Sequence, residues 1–291
     1  MSIAVMIDGQ LRPPNEQHVS VYDRGFLYGD SVFETLRTYG GAPFELQEHL
    51  TRLERSAGLV FIPLPVSRAE LERELGAAIR AAGNAESYVR LMVTRGQGKL
   101  GLDPALAERS SRIIIVQPLS VPPAHYYEDG VAAISYRTQR EVDATSAVGA
   151  KIGNYLVSVL AMREAGQVGA VEALIVDGRG RVLEGASSNV FLVKSGRLVT
   201  AGTDAGILSG ITRAHVIALA KAMGIDVELR PPLLDEAYTA DEVFITSSIR
   251  ELVPVTRLDQ RVVGAGTPGP IYRQLHAAFR QQVDPAQAAR N

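Results

Sequence analysis

The 291-residue chain has no cysteine and no tryptophan. The missing cysteine removes disulfides, thiolate catalysis and zinc–thiolate sites together. Its five histidines, His18, His49, His125, His215 and His276, never stand at i, i+3 or i+4, so the helical metal-site patterns are absent too. A Walker phosphate loop is also missing. Thirty basic residues against 32 acidic ones leave a formal charge of −2, with no general attraction to nucleic acid or to a membrane surface. No apolar run reaches bilayer-spanning length. The opening MSIAVMIDGQ is too short and too uncharged for a signal peptide, so a cytoplasmic protein is expected.

What is present reads as an α+β chain. IAVMIDGQL is a hairpin turning at Asp8-Gly9, and SVFETLRTYGGAPFEL a second one turning at Gly40-Gly41. HLTRLERSAGLV and SRAELERELGAAIRAAG read as helices, the latter opening with a Ser67/Glu70 capping box. YVRLMVTRG and RIIIVQPL are strands. The proline-bearing SVPPAH is a linker. Beyond it lie the strand GVAAISY, a meander with turns at Asp177-Gly178 and Ser195-Gly196, the helix SGITRAHVIALAKAMGI, and a short helix and strand in LLDEAYTADEVFITSS. Two domains are expected, 1–119 and 120–291, with the tail DPAQAARN carrying nothing.

AVGAKIGNYLVSVLAM then raises a question. Helical spacing begins at Asn154, so Lys151 is expected just upstream of a helix start, among small and apolar neighbours. Helix dipole and desolvation both oppose an ammonium there. Two readings stay open: a stem that snorkels to solvent, or an amine kept for Schiff-base chemistry.

Three segments offer anion-binding groups. Gly210, Ile211 and Thr212 open a helix whose N–H groups lack intrahelical partners. Thr246, Ser247 and Ser248 end a strand with hydroxyls, and Arg52 offers a fork of donors. Each is also readable as an ordinary cap or a solvated side chain. An awkward lysine together with a phosphate cup suits pyridoxal 5′-phosphate, which is held by both. That cofactor also needs a carboxylate at its pyridine nitrogen, for which Glu184 is placed, and Tyr155 can reach the same ring.

The order of these motifs resembles the fold-type IV pyridoxal-phosphate enzymes, the class IV aminotransferases. KIGNYL, EALIVDGRGRVLEGASSNVFLV, LSGITR and DEVFITSSIRELVPV carry the likeness, supported by YGDSVFETLR and HLTRLERSA. The resemblance implies a smaller N-terminal α/β domain and a larger C-terminal mixed-sheet, pseudo-barrel domain holding the catalytic lysine. It implies that Lys151 forms the internal aldimine, that Glu184 partners the pyridine nitrogen and that Tyr155 contacts the ring's phenolate oxygen. It further implies that Arg52, Ile211, Thr212, Ser248 and the adjacent Ser247 bind the phosphate. Asn189 would support the Glu184 loop. The subunit would be a homodimer or a higher homo-oligomer, with a loop from the neighbour closing the pocket.

For substrate, Tyr88-x-Arg90 resembles the pattern of branched-chain transaminases. GKLGLDP resembles their partner-reaching loop, offering Leu100 and Leu102. Tyr28, Phe33 and Arg37 match pocket positions. The expected reaction is amino transfer between L-branched-chain amino acids and 2-oxoglutarate by a ping-pong cycle. D-amino acid or R-amine transamination, and aminodeoxychorismate lysis, are the alternatives on the same fold. The Arg-x-His pair usual in D-amino acid enzymes is missing from 96–103. Thr35, where the branched-chain pattern prefers glycine, departs from the leading reading, as does a lysine motif one glycine shorter than in many branched-chain enzymes.

Overall fold

The computed structural model describes residues 2–16, 18–138 and 147–283, so the tail 284–291 lies outside the described residues. Internal contacts divide the chain into two units, Met1–Ser120 with Ala150–Tyr155, and Val121–Gly149 with Leu156–Asn291.

In the first unit, β1 (Ala4–Ile7) and β2 (Gln10–Arg12) form the expected hairpin. Asp8 and Gly9 both have positive φ, 50° and 80°, the mirror-image turn that matches strand twist. α1 (Arg24–Tyr28) leads to β3 (Ser31–Tyr39), which turns into the two-residue β4 (Ala42–Pro43). Then come α2 (Leu46–Leu59), α3 (Arg68–Ala82), β5 (Ser87–Thr94) and β6 (Ser111–Pro118). The Ser67 hydroxyl accepts from the Glu70 N–H at the start of α3, as the capping box requires. The strands form one antiparallel sheet in the order β2-β1-β6-β5-β3-β4.

Alternation gives this sheet two unlike faces. Val32, Leu36, Val89, Leu91 and Val93 are buried with Leu50 and Leu53 of α2 and Leu71 and Leu75 of α3. Each such leucine contributes about 1.5–3 kcal/mol by leaving water. The opposite face carries Phe33, Thr35 and Arg37 of β3 beside Met92, Arg90 and Tyr88 of β5.

The lysine segment belongs to this unit, whereas the sequence reading placed it in the C-terminal domain. Hydrogen bonds outweigh sequence position here. Phe33 N–H donates to Lys151 O at 3.0 Å, Gly153 N–H to Ser31 O at 2.9 Å, and Lys151 N–H to Ser56 Oγ at 3.1 Å. Gly153 permits the approach, because a Cβ there would stand 2.2 Å from Ser31 Oγ.

Between β5 and β6, GQGKLG has GxGxxG spacing directly after a strand. It opens a loop instead of a helix, with Gly98 bridged to Ala107, so the spacing is not a dinucleotide-binding fingerprint.

The second unit holds α4 (His125–Glu128), β7 (Val131–Arg137), α5 (Leu156–Gln167), β8 (Glu172–Val176), β9 (Val182–Gly185), β10 (Asn189–Lys194) and β11 (Arg197–Thr200). It continues with α6 (Ile211–Ala222), β12 (Val227–Leu229), α7 (Leu234–Tyr238), β13 (Glu242–Ser247), β14 (Glu251–Leu258), β15 (Arg261–Val262) and α8 (Pro270–Val283). Its nine strands run β12-β11-β10-β13-β14-β7-β8-β9, with β15 on β14. The pairs β11–β12, β14–β7 and β7–β8 are parallel and the rest antiparallel, the mixed sheet expected. The sheet curls until β9 also packs against β10, which gives the pseudo-barrel. Among the described residues no helix is long and apolar enough to cross a membrane.

α5 departs from expectation at its start. It starts at Leu156 rather than Asn154, so four residues separate it from Lys151 along the chain. It also buries only Ala161 and Ala165 and leaves Leu156, Val159 and Leu160 exposed.

Candidate active site

In the first unit, the Lys151 amine lies 3.1 Å from the Tyr155 hydroxyl and 4.4 Å from the centre of the Phe33 ring. Phe33 and Tyr155 meet edge to face at 5.2 Å. Lys151 is half-buried rather than stretched into solvent, which disfavours the snorkelling alternative. The Arg90 guanidinium stacks 3.9 Å over the same Phe33 ring and makes no hydrogen bond or ion pair among the described residues. Tyr88 is half-buried on the same face, as the two-residue spacing required.

Behind Phe33, on the helix side of the sheet, stands a buried charged cluster. Glu34 accepts from Arg52 through both oxygens, at 2.8 Å from Nε and 2.6 Å from Nη2, and from His49 Nδ1 at 2.7 Å. Burial alone would raise the Glu34 carboxyl, but Arg52 and His49 outweigh it and hold it at about 2. Burial pushes His49 below its ordinary 6.5 against the pull of Glu34, so the imidazole is neutral and its Nδ1–H donates to the carboxylate. Arg52, assigned to phosphate, thus gives one edge of its fork to Glu34, which fixes the plane of the guanidinium.

Tyr28 and Arg37 are more committed than expected. The Tyr28 hydroxyl accepts from Gly101 N–H at 3.1 Å, and Arg37 is buried against the Tyr39 ring at 4.2 Å. Arg24, which sequence reasoning missed, is 2 % exposed and donates to the carbonyls of Gly101 and Leu102 at 2.9 and 3.2 Å. Tyr28 and Arg24 therefore tie down the tip of the 96–110 loop. Leu100 and Leu102 on that loop are exposed.

The second unit gathers the remaining candidates around one segment. Glu184 Oε2 accepts from Leu208 N–H at 3.2 Å, and Asn189 Nδ2 donates to Leu208 O at 3.0 Å. Both side chains hold the approach to α6. Gly210 caps α6 without a side-chain hydrogen bond, and a Cβ there would lie 1.9 Å from Asn189 Oδ1. Ile211 and Thr212 are buried in the first turn. Asn189 pairs across the sheet with Thr246, whose buried hydroxyl has no partner among the described residues. An uncapped helix start next to an orphan hydroxyl is an environment for an anion. Ser247 ends β13 and Ser248 opens the turn before β14, both half-buried.

Glu34, His49, Arg250 and Glu172 were also missed. Glu34 had left a signal, since it falls in phase with Val32 and Leu36 on the apolar face of β3, where a lone charge demands partners. Arg250 and Glu172 are far apart in sequence and left none.

The sequence model of the family described as amino-transferase class IV matches residues 31–258. A putative branched-chain-amino-acid aminotransferase of Methanocaldococcus jannaschii is 40% identical over 277 residues, covering 95% of each chain. A D-alanine aminotransferase of Bacillus licheniformis is 33% identical, covering 96% of each. Among solved structures, the branched-chain amino acid aminotransferase of Escherichia coli superposes with a TM-score of 0.92 at 32% identity, over 98% of this chain and 96% of that one.

Proposed function

The chain belongs to the class IV aminotransferases, and from that premise we propose that it moves the amino group between L-branched-chain amino acids and 2-oxoglutarate in a ping-pong cycle, with pyridoxal 5′-phosphate as cofactor. The observation that carries the reading is the Phe33 ring, flanked by the Lys151 amine and by an Arg90 guanidinium that has no carboxylate partner of its own among the described residues. A ping-pong enzyme must seat an aliphatic side chain and an acidic one in turn. An aromatic wall suits the first and a half-buried guanidinium beside it suits the second.

The residues present fit the cofactor. The uncapped start of α6 and the orphan Thr246 hydroxyl suit its phosphate, with Arg52, Ile211, Thr212, Ser247 and Ser248 as the binding set. Glu184 is the carboxylate for its ring nitrogen. When bound, the cofactor supplies an aldehyde carbon and a ring that takes up the electron pair released at the substrate Cα. The chain supplies the rest. Lys151 would hold the group at that carbon through its amine and, when released from it, would move the proton at the substrate Cα. Tyr155 orients the amine through its hydroxyl, and Phe33 excludes water from it. Leu100 and Leu102 from a second copy form the apolar wall of the pocket.

Purified protein is tested with L-leucine, L-isoleucine, L-valine, D-alanine and R-phenylethylamine against 2-oxoglutarate and pyruvate. The L-branched-chain donors with 2-oxoglutarate should lead by at least about ten-fold in kcat/KM, and Lys151→Ala should abolish turnover. A lead for D-alanine would move the assignment to D-amino acid transamination, the activity named for the 33% identical relative. Pyruvate release from aminodeoxychorismate without an acceptor would make it a lyase.

A further inference from the structure

The turn between β13 and β14 is held by more than its own backbone. Arg250 donates through Nη2 to Glu172 Oε2 at 2.6 Å and to Ser187 Oγ at 2.9 Å. Glu172 is wholly buried on β8, and the same oxygen also accepts from the hydroxyls of Ser187 and Ser188. On its other side, Arg250 meets Ser247. Its backbone N–H donates to Ser247 Oγ at 3.2 Å, and its Nε–H donates to the same oxygen at 3.4 Å. The next residue, Glu251, is buried with φ 59°, a left-handed conformation that is strained for a glutamate, and Arg280 pairs with its carboxylate at 2.6 Å.

A serine hydroxyl has two acceptor positions and one proton to donate. With both acceptor positions taken by Arg250, Ser247 can only donate, and its proton finds no acceptor among the described residues. A phosphate only accepts. We infer that Arg250, anchored on Glu172, is a positioning residue that fixes the turn and makes the Ser247 hydroxyl a dedicated donor to the cofactor phosphate. The inference rests on the proposed cofactor. Neither Arg250 nor Glu172 touches substrate in it.

The test compares binding of pyridoxal 5′-phosphate with that of unphosphorylated pyridoxal, each titrated into cofactor-free protein and read by absorbance. Arg250→Lys keeps the charge but lacks a second N–H arm to reach Ser247 while paired with Glu172. It should narrow the preference for the phosphorylated form by about ten-fold, a loss in line with one charge-assisted hydrogen bond, and leave pyridoxal affinity unchanged. Ser247→Ala should narrow it similarly, and the two changes together should add little. Arg250→Met leaves Glu172 buried without its cation and is apt to unfold, so it is made only with Glu172→Gln; that pair should behave as Arg250→Lys does. An unaltered preference in folded Arg250→Lys, or a fall in melting temperature alone, overturns the inference and spares the cofactor assignment. Wild-type protein that takes up neither compound overturns both.

Discussion

Glu34 shows how far a single carboxylate can be bent by its neighbours. Held at about 2 against an ordinary 4.5, it contributes stability that is fully present above pH 4.5 and is lost as pH falls toward 2. That contribution is about 3 kcal/mol. The neutral His49 adds to the acid loss from below 6.5, because the unfolded imidazole binds a proton that the folded one resists. Glu34→Gln should therefore lower the urea midpoint at pH 7 and flatten its decline between pH 4.5 and 2.5. An acid limb as steep as that of the wild type would show that another group governs it. The substitution also frees the Arg52 fork to rotate, so cofactor affinity should fall with it.

Among the elements, the 96–110 loop depends on close backbone approach. Gly96 has φ 90°, and a Cβ there would meet the Arg109 carbonyl oxygen at 1.7 Å, which no rotamer relieves. At its tip, Arg24 and Tyr28 hold Gly101 and Leu102. Gly96→Ala should displace the loop and raise the KM for L-leucine by about ten-fold, the scale of losing apolar contact to one side chain, with cofactor absorbance retained. An unchanged KM would separate Leu100 and Leu102 from the substrate pocket. The elements themselves were largely legible: Asp8-Gly9, the Ser67 cap and Gly83, and Gly224 past α6 each mark a boundary by local chemistry that needs no tertiary partner. α5 was the exception. Its leucines fall at helical spacing, yet the structure buries the alanines where the helix packs against its sheet.

For the whole molecule, the proposed function calls for a second copy to complete the pocket. Sedimentation of the purified protein should give a dimer or a larger assembly, and dilution to monomers should lower activity toward L-leucine. A fully active monomer would remove the role given to the exposed Leu100 and Leu102. What the sequence by itself determined was the family and the order of parts: the motifs around Lys151, Tyr155, Glu184, Gly210–Thr212 and Ser247-Ser248 are short runs that read without tertiary partners. Only the tertiary structure decided what surrounds them. Lys151 joins the first unit through β3, Arg52 shares its fork with Glu34, and Arg250 commits Ser247 to donating. Those contacts pair residues far apart along the chain, and burial sets their strength; neither is written in any short run of sequence.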